Sequence, residues 1–459
     1  MDNMLLLISV LYGITGIMYG VLVLHRIIKT NRIKIFDFVC LMYTFVYGFV
    51  PCLIYAQEAG GARDILFYDY STEGIVNIFA MLFLSVAAYG AMNLAYYVVP
   101  AKRKLVKSGI PSETEKENIA KHLMIGGTAA LLIGGISLLL WTRAYGSLSN
   151  FILNATAIRS GRGSVHNSFA FMKQFTRIMP LSLYALIASG LYKKETGVRY
   201  IEYLILLALA VLGNYLYFLA SDSRMTIIFI GLAVLGIVLK HRKKKRIAPY
   251  LVGAAVAAFL LLDATMLADT FTRFVRRGVW EANTNSVIEN LTKEFRFILS
   301  SNAKVMKVWS EENLHWKILD DVINALFSWL PDRFIPFKLP ETVWAYNTSL
   351  YGTQGTGTLP SALVATGIYE IGILGALIHP FVFGLATAFV DKRMTLWDMS
   401  RYSDVYYGVC IGLFVQMVSH NQMYTFTLSL FPAFLFFVVT KIIDNVSFAG
   451  KKLVRDKSE

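Results

Sequence analysis

The segment 201-IEYLILLALAVLGNYLYFLASDSRMTIIFIGLAVLGIVLKHRKKKR-246 decides the fold class of this chain. It contains two apolar runs, 201–220 and 225–240, which are joined by a short turn around Asp222 and followed by a basic loop at 240–246. A run of about 20 apolar residues is long enough to cross the hydrocarbon core of a bilayer as an α-helix. Because Lys and Arg collect on the cytoplasmic side of membrane proteins, the basic loop predicts that the turn at Asp222 lies at the outer surface.

Similar apolar runs recur along the whole chain. Of its 459 residues, 56% are hydrophobic and only 16% are charged, whereas a soluble protein carries about 25% charged residues. The runs are too long for barrel strands, and only helices or closed barrels satisfy the backbone in lipid. We therefore predict an all-α polytopic membrane protein with about eleven transmembrane helices. The predicted spans are 4–24, 36–56, 74–98, 123–141, 171–191, 201–220, 225–240, 248–268, 362–389, 404–420 and 423–440.

The formal net charge of +14 comes mainly from the short loops between these spans. This is the positive-inside pattern, and it argues against a nucleic-acid partner. It predicts that the N-terminus is outside and the C-terminus is inside. The predicted organisation is a bundle of about eight helices at 1–268, a mostly helical extracytoplasmic cap at 269–361, about three further helices at 362–440 and a basic cytoplasmic tail at 441–459.

The predicted cap contains the amphipathic segment 315-HWKILDDVINALFSWL-330. Its apolar residues recur at three- and four-residue spacing, which predicts a helix with one apolar face. Asp320 and Asp321 fall on the opposite face, where we expect them to be solvated rather than to bind a metal. Such a helix can lie in the plane of the lipid headgroups or pack on the outer end of the bundle, and the sequence leaves both open.

Two groups of arginines fall on the predicted outer side, against the positive-inside tendency. The first contains Arg159 and Arg162. The second contains Arg273, Arg276 and Arg277, whose spacing would put them on one face of a helix. Guanidinium groups bind phosphate oxygens in a bidentate fork, so an anionic ligand would explain both groups. Contact with lipid headgroups and snorkelling at span ends are the alternatives.

The turn at Asp222 also carries Arg224, which begins the following span. Asp222 can cap the N-terminus of that helix, so a structural role competes with a catalytic one. Arg224 is harder to explain structurally, because a cation at a helix N-terminus opposes the helix dipole. An ion pair with Asp222 or an anionic ligand at the outer surface would stabilise it.

Glu370 lies inside a predicted span and is followed by Gly372 and Gly375. A carboxylate within an apolar run is unfavourable unless it faces a polar cavity or a cation, so Glu370 is a candidate catalytic residue. His379, which precedes Pro380, is expected to serve helix packing or a kink. The sequence contains no P-loop, HExxH or GxSxG motif, and its three cysteines do not have metal-site spacing.

The many spans, the long extracytoplasmic segment before the last spans and two short motifs together resemble the bacterial oligosaccharide repeat-unit polymerases. These are the Wzy-type O-antigen and capsule polymerases, which are related to the O-antigen ligases. The matching residues are Ser223-Arg224 at the start of a span and Glu370-Ile371-Gly372-Ile373-Leu374-Gly375 in a later one. Ligase-like members often carry a histidine eleven residues before the first glycine of the second motif, and here that position is Ser361.

The resemblance implies a GT-C-like helical bundle that transfers a growing glycan from undecaprenyl diphosphate to a hydroxyl of the next lipid-linked repeat unit. The implied partners are the lipid-linked donor and acceptor oligosaccharides and membrane lipids, with a chain-length regulator protein as a further candidate. The implied location is the bacterial cytoplasmic membrane, with the active site facing the exterior. No cofactor or metal is expected, because arginine can stabilise the phosphate charge.

The resemblance also implies roles for the residues named above. Glu370 and Asp222 compete for the role of the base that deprotonates the attacking hydroxyl. The residues expected to bind the diphosphate are Arg224, Arg276, Arg277, Arg273, Arg162 and Arg159.

Three other functions remain open from the sequence. O-antigen ligase is one, although Ser361 occupies the histidine position. Another lipid-phosphate-dependent glycosyltransferase is the second, because Glu58, Asp64 and Asp69 lie in the predicted first outer loop, at 57–73. The third is a transporter of lipid-linked oligosaccharide or polysaccharide, which we expect to have short outer loops. The long folded segment at 269–361 argues against a transporter.

Overall fold

The computed structural model is helical in all the regular elements of the part of the chain that it describes. The described residues are 2–60, 72–100, 112–159, 165–192, 198–221, 224–241, 274, 287–311, 314–327, 330, 334–349, 359–394 and 401–456. Within these ranges, six helices are long and apolar enough to cross a membrane, and one bent helix pair is a seventh candidate. The protein is therefore an α-helical multi-pass membrane protein, as its composition predicts.

We number the helices in chain order within the described residues. They are α1 Asp2–Thr30, α2 Ile35–Ala59, α3 Thr72–Val98, α4 Glu113–Thr142, α5 Leu148–Arg159, α6 Met172–Thr176, α7 Met179–Tyr192, α8 Val198–Ser221, α9 Arg224–Lys240, α10 Val287–Ser310, α11 Ile318–Phe327, α12 Val343–Ser349, α13 Leu363–Ile371, α14 Gly375–Met394, α15 Ser403–Ser419 and α16 Met423–Asp456.

Six predicted spans correspond to the long apolar helices, which are α1, α2, α3, α4, α8 and α16. The predicted span 225–240 is the shorter apolar helix α9, and the span 404–420 is the 17-residue helix α15. The span 171–191 is divided between α6 and α7, and the span 362–389 is the bent pair of α13 and α14. The span 248–268 lies outside the described residues. The count of eleven spans and the extracytoplasmic cap therefore remain predictions.

Asp391, near the end of α14, links this helix to α2 and α3 through hydrogen bonds. Its carboxylate accepts hydrogen bonds from the first backbone N–H groups of α2, at 3.0 Å from Ile35 and 3.2 Å from Phe36. The hydroxyl of Tyr96 in α3 donates a third bond at 2.9 Å. These bonds satisfy backbone donors that the start of a helix leaves without an intrahelical acceptor.

Two ion pairs join other helix ends close to the carboxylate of Asp391. Arg26 of α1 pairs with Asp37 of α2 at 2.6 Å, and Lys240 of α9 pairs with Asp404 of α15 at 2.8 Å. We call this end of the bundle, defined by Asp37, Asp391 and Asp404, the charged end. Because α9 and α14 finish there and α15 begins there, the start of α9, the start of α14 and the end of α15 lie at the opposite end.

The polar face of α11 is turned into the protein. Asp321 is fully buried, whereas Leu319 is 71% exposed. The expectation that Asp321 is solvated is therefore wrong. The reason is that the polar side chains bind the following backbone: Asp321 Oδ1 accepts from the Val343 N–H at 2.9 Å, and the Asn324 amide donates to the Pro340 carbonyl at 2.6 Å. The outward apolar face favours the placement of this helix against lipid.

Candidate functional site

Only part of the predicted site falls within the described residues. Glu370 is described in full. Arg224 and Arg159 are described for the backbone alone, as the first residue of α9 and the last residue of α5. The predicted site residues outside the described ranges are Asp222, Arg162, Arg273, Arg276 and Arg277. The diphosphate site expected from the arginines therefore remains a prediction.

Glu370 lies beside a sharp bend, which we call the elbow (residues 370–379). Helices α13 and α14 meet there at 118° although together they are apolar enough for one span. Gly372 ends α13 with a φ of +82°, a conformation that favours glycine. The backbones of Gly367 and Gly375 contact each other across the bend, so a side chain at either position would clash. These glycines allow the chain to fold back on itself and bring α14 against the buried helix α13.

The bend brings the side chains of Glu370 and His379 together. His379 Nδ1 lies 2.5 Å from Glu370 Oε2, and Glu370 is only 4% exposed. The other carboxylate oxygen, Oε1, has no hydrogen-bond partner among the described residues. The expected role of His379 in packing or a kink is thus corrected by the structure, in which it is the partner of Glu370. A buried carboxylate of this kind orients an imidazole and stabilises its protonated form.

Ser361, the position of the ligase histidine in the family pattern, has a structural role here. Its hydroxyl accepts a hydrogen bond from Thr366 Oγ1 at 2.9 Å, and its carbonyl accepts from the Asn421 N–H at 2.8 Å. His379, on the far side of the bend, is the histidine that contacts Glu370. The sequence signal for it was the pair of glycines between Glu370 and His379, which permits a break in the helix.

Asp321 is a second buried carboxyl group near the elbow. The pKa of Asp321 is raised to about 7: burial is the main cause, the bond from the Val343 N–H opposes it, and the negative charge of Glu370 adds to it. The positive charge of His379 acts in the opposite direction. Its Oδ2 has no hydrogen-bond partner within the described ranges. Asp321 can therefore gain or lose a proton near neutral pH while remaining electrostatically coupled to Glu370 and His379.

Asn421, just after the end of α15, contacts residues of α12 and α13 through hydrogen bonds. Its backbone carbonyl accepts hydrogen bonds from Trp344 Nε1 at 2.8 Å and from Thr366 Oγ1 at 3.1 Å. Its side-chain oxygen faces His379 without completing a hydrogen bond. The result is a largely buried polar cluster, the elbow cluster, which consists of Glu370, His379, Asp321 and Asn421. An acid and an imidazole in such a cluster can accept a proton and hold it away from water.

A cavity of about 440 Å³ opens at the same end of the bundle, and we call it the terminal cavity. Lys173 and Arg177 lie on its wall, and none of the lining residues within the described ranges is acidic. Ser221, the last residue of α8, and Thr226, near the start of α9, also line it. Lys173 and Arg177 were not among the predicted site residues. The available signal was two cations four residues apart at the outer end of a predicted span.

Trp344 connects the terminal cavity to the elbow cluster. Its ring lines the cavity, while its indole N–H donates to the carbonyl of Asn421 at 2.8 Å. His420 also contacts Trp344, with ring centroids 6.1 Å apart, and Phe297, at 4.8 Å. Trp344 therefore contacts both the cavity and Asn421 of the elbow cluster.

The described ranges hold no group of three or more His, Cys, Asp and Glu side chains arranged to bind a metal ion. Comparison of the chain with protein-family models, curated proteins and solved structures gives no match. The class that the fold itself defines is the α-helical multi-pass membrane protein, and the site adds a buried acid–imidazole pair at an interrupted helix.

Proposed function

We propose that this protein polymerises undecaprenyl-diphosphate-linked oligosaccharide repeat units into a surface polysaccharide at the outer face of a bacterial cytoplasmic membrane. A hydroxyl of the lipid-linked acceptor attacks the anomeric carbon of the donor glycan. A glycosidic bond forms, the bond from that carbon to the phosphate oxygen breaks, and undecaprenyl diphosphate leaves. The hydroxyl proton passes to a base on the protein.

The observation that carries this proposal is the buried Glu370–His379 pair in a broken apolar helix. Ionisable groups inside membrane proteins are rare, and they usually mark a functional site. Here the pair supplies the base: Glu370 accepts the proton itself or positions His379 to accept it. Asp222, the other acid expected to compete for this role, lies outside the described residues.

The charges at the same end of the bundle support this reaction. The basic loops predict that the elbow and the terminal cavity face the outside, where the lipid diphosphate would leave. Cations there would stabilise the negative charge that develops on the leaving group. Arg224 and the other predicted arginines are expected to take this role, with no metal required.

Purified protein in lipid nanodiscs, supplied with lipid-linked repeat units, tests the proposal directly. Wild-type protein should convert single repeat units into a ladder of longer chains, and it should do so in the presence of EDTA. Glu370→Gln should leave single units on the lipid. Absence of chain growth by well-folded wild-type protein would reject the polymerase. Transfer of one glycan to a different acceptor, without a ladder, would indicate a ligase or another lipid-phosphate-dependent glycosyltransferase.

A proton-coupled transporter of lipid-linked oligosaccharide is the second candidate function. The specific observation in its favour is the same broken helix, because discontinuous helices and buried carboxylate–histidine pairs also form transport and proton-relay sites. Proteoliposomes with a pH gradient distinguish the two. A transporter moves the intact lipid-linked unit across the bilayer in response to the gradient, whereas a polymerase lengthens the glycan without a gradient.

A further inference from the structure

We propose that the terminal cavity binds the phosphate headgroup of an amphiphile through Lys173 and Arg177. The identification of this amphiphile as a prenyl diphosphate, the chemical class of the lipid carrier, rests on the proposed function. The described lining of this site is separate from the elbow cluster, and Lys173 and Arg177 are not among the residues that the sequence predicted to bind phosphate.

The two cations are held on one face of the chain. Lys173 and Arg177 are four residues apart at the junction of α6 and α7, a spacing that aligns side chains along a helix. Lys173 Nζ lies 5.6 Å from the ring centroid of Trp141, which keeps the ammonium group at the cavity wall. No carboxylate in the described part of the chain forms an ion pair with Arg177. A ligand with negative charge therefore complements this wall.

The remaining lining suits the rest of an amphiphile. Polar groups next to the cations include the hydroxyls of Thr176, Ser221 and Thr226. Large apolar side chains form other parts of the wall, including Leu181 and Leu413. A prenyl diphosphate combines these two properties, because its phosphates need donors and its isoprene units need apolar contact.

The size of the cavity restricts what it can hold. Its volume of about 440 Å³ lies in the range of small-molecule sites, which are about 300–1,000 Å³. A diphosphate with the first isoprene units fits this range, whereas a complete lipid-linked oligosaccharide does not. The ligand must therefore extend out of the cavity, with the glycan and the distal part of the lipid chain outside it.

Farnesyl diphosphate is a short probe for this site. We expect it to quench the intrinsic tryptophan fluorescence of the full-length protein in phosphatidylcholine nanodiscs, because Trp141 and Trp344 both line the cavity. Arg177→Gln should weaken binding by about tenfold or more, since a charge-assisted hydrogen bond contributes roughly 1.5–3 kcal/mol. Lys173→Gln combined with Arg177→Gln should weaken it further, while Arg177→Lys should retain part of the affinity.

Arg143→Gln is the matched control. Arg143 follows α4 at the same end of the bundle, is exposed and does not line the cavity, so its loss removes the same charge without changing the site. Wild-type affinity in the Lys173/Arg177 double variant would overturn the proposal, as would equal binding of farnesol and farnesyl diphosphate. Loss of farnesyl diphosphate binding when phosphatidylglycerol is added to the nanodiscs would assign the cavity to a membrane phospholipid and overturn the prenyl assignment.

The binding measurement is independent of chain elongation. If farnesyl diphosphate binds through Arg177 and the wild-type protein nevertheless builds no glycan ladder, the cavity assignment stands and the polymerase is rejected. If elongation occurs and the double variant binds and elongates as wild type does, the polymerase stands and the cavity assignment is rejected.

Discussion

His379 Nδ1 and Glu370 Oε2 lie 2.5 Å apart across a bend of 118° between two apolar helices. This contact places a proton-accepting pair inside the bundle, at the end opposite to the ion pairs of Asp37 and Asp404. Glu370 is buried and the His379 side chain is 17% exposed. One oxygen of the carboxylate has no partner among the described residues, and Asp321 acts on the pair electrostatically. These properties distinguish it from an ordinary packing contact.

Glu370 and His379 should act as one catalytic unit. Glu370→Gln and His379→Gln should each lower the initial elongation rate by about 100-fold or more, the usual range for loss of a general base. The double variant should be no slower than the worse single variant, because both substitutions disable the same proton transfer. Rates measured in nanodiscs with lipid-linked repeat units check this. Independent, multiplicative losses would show that the two residues do not share one function.

Gly372→Ala should destabilise the elbow. Its φ of +82° is strained for any residue with a side chain, and we expect a loss of about 1–2 kcal/mol in the free energy of unfolding. Gly90→Ala is the matched control, since a Cβ at Gly90 in α3 would meet nothing within 4 Å and should be neutral or slightly stabilising. Thermal unfolding of both variants in detergent compares them. Equal midpoints for Gly372→Ala and wild type would show that the bend does not need glycine.

Asp321 should make stability depend on pH. Its pKa is raised from 3.8 to about 7 in the folded state, so between these values the folded protein binds more protons than the unfolded chain. Stability from this group is therefore fully present below pH 4 and is lost as the pH rises towards 7. Asp321→Asn should remove this dependence. The unfolding midpoint should therefore fall less between pH 5 and pH 8 in the variant than in wild type. Parallel pH profiles for the variant and wild type would contradict the raised pKa.

Asp391→Ala should destabilise the charged end. It leaves the N–H groups of Ile35 and Phe36 and the hydroxyl of Tyr96 without their acceptor. Each buried donor left without an acceptor costs about 1–3 kcal/mol, so the total loss should be at least ~3 kcal/mol. Denaturant titration of the purified protein measures it.

Glu113→Ala is the control for that measurement. Glu113 is exposed and pairs with Lys116 on the surface of α4 at 2.7 Å. Exposed ion pairs contribute about 0–1 kcal/mol, so this variant should unfold close to wild type. If Asp391→Ala unfolds like Glu113→Ala, the carboxylate of Asp391 does not hold the three helices together.

Much of the fold follows from local sequence. Uninterrupted apolar runs have one stable solution in lipid, the helix, and six of the predicted spans are long helices in the structure. The division of the span 171–191 into α6 and α7 was missed, because its composition is the same as that of a continuous helix. The orientation of α11 was also missed, since binary pattern alone does not tell whether the polar face meets water or the buried backbone of Val343.

The candidate site was also predictable only in part. Glu370 was identifiable because an isolated carboxylate in an apolar run is unfavourable without a partner. Lys173 and Arg177 were not identifiable, because cations near span ends are common. They line a cavity only because helices far apart in the sequence, including α4, α5, α8, α12 and α16, pack around them. The predicted arginine site depends on side chains outside the described residues, and it stays a prediction.

By itself, the sequence determined that the chain crosses a membrane as helices and that Glu370 needs a partner. Only the tertiary structure decided that the partner is His379. In a continuous α-helix, residues nine positions apart point to opposite faces and are separated by about 13 Å along the axis. They meet because the close contact of Gly367 with Gly375 and the left-handed backbone at Gly372 turn the chain back on itself. That packing depends on residues far apart in the sequence, such as Asn421 and Trp344, and no local pattern encodes it.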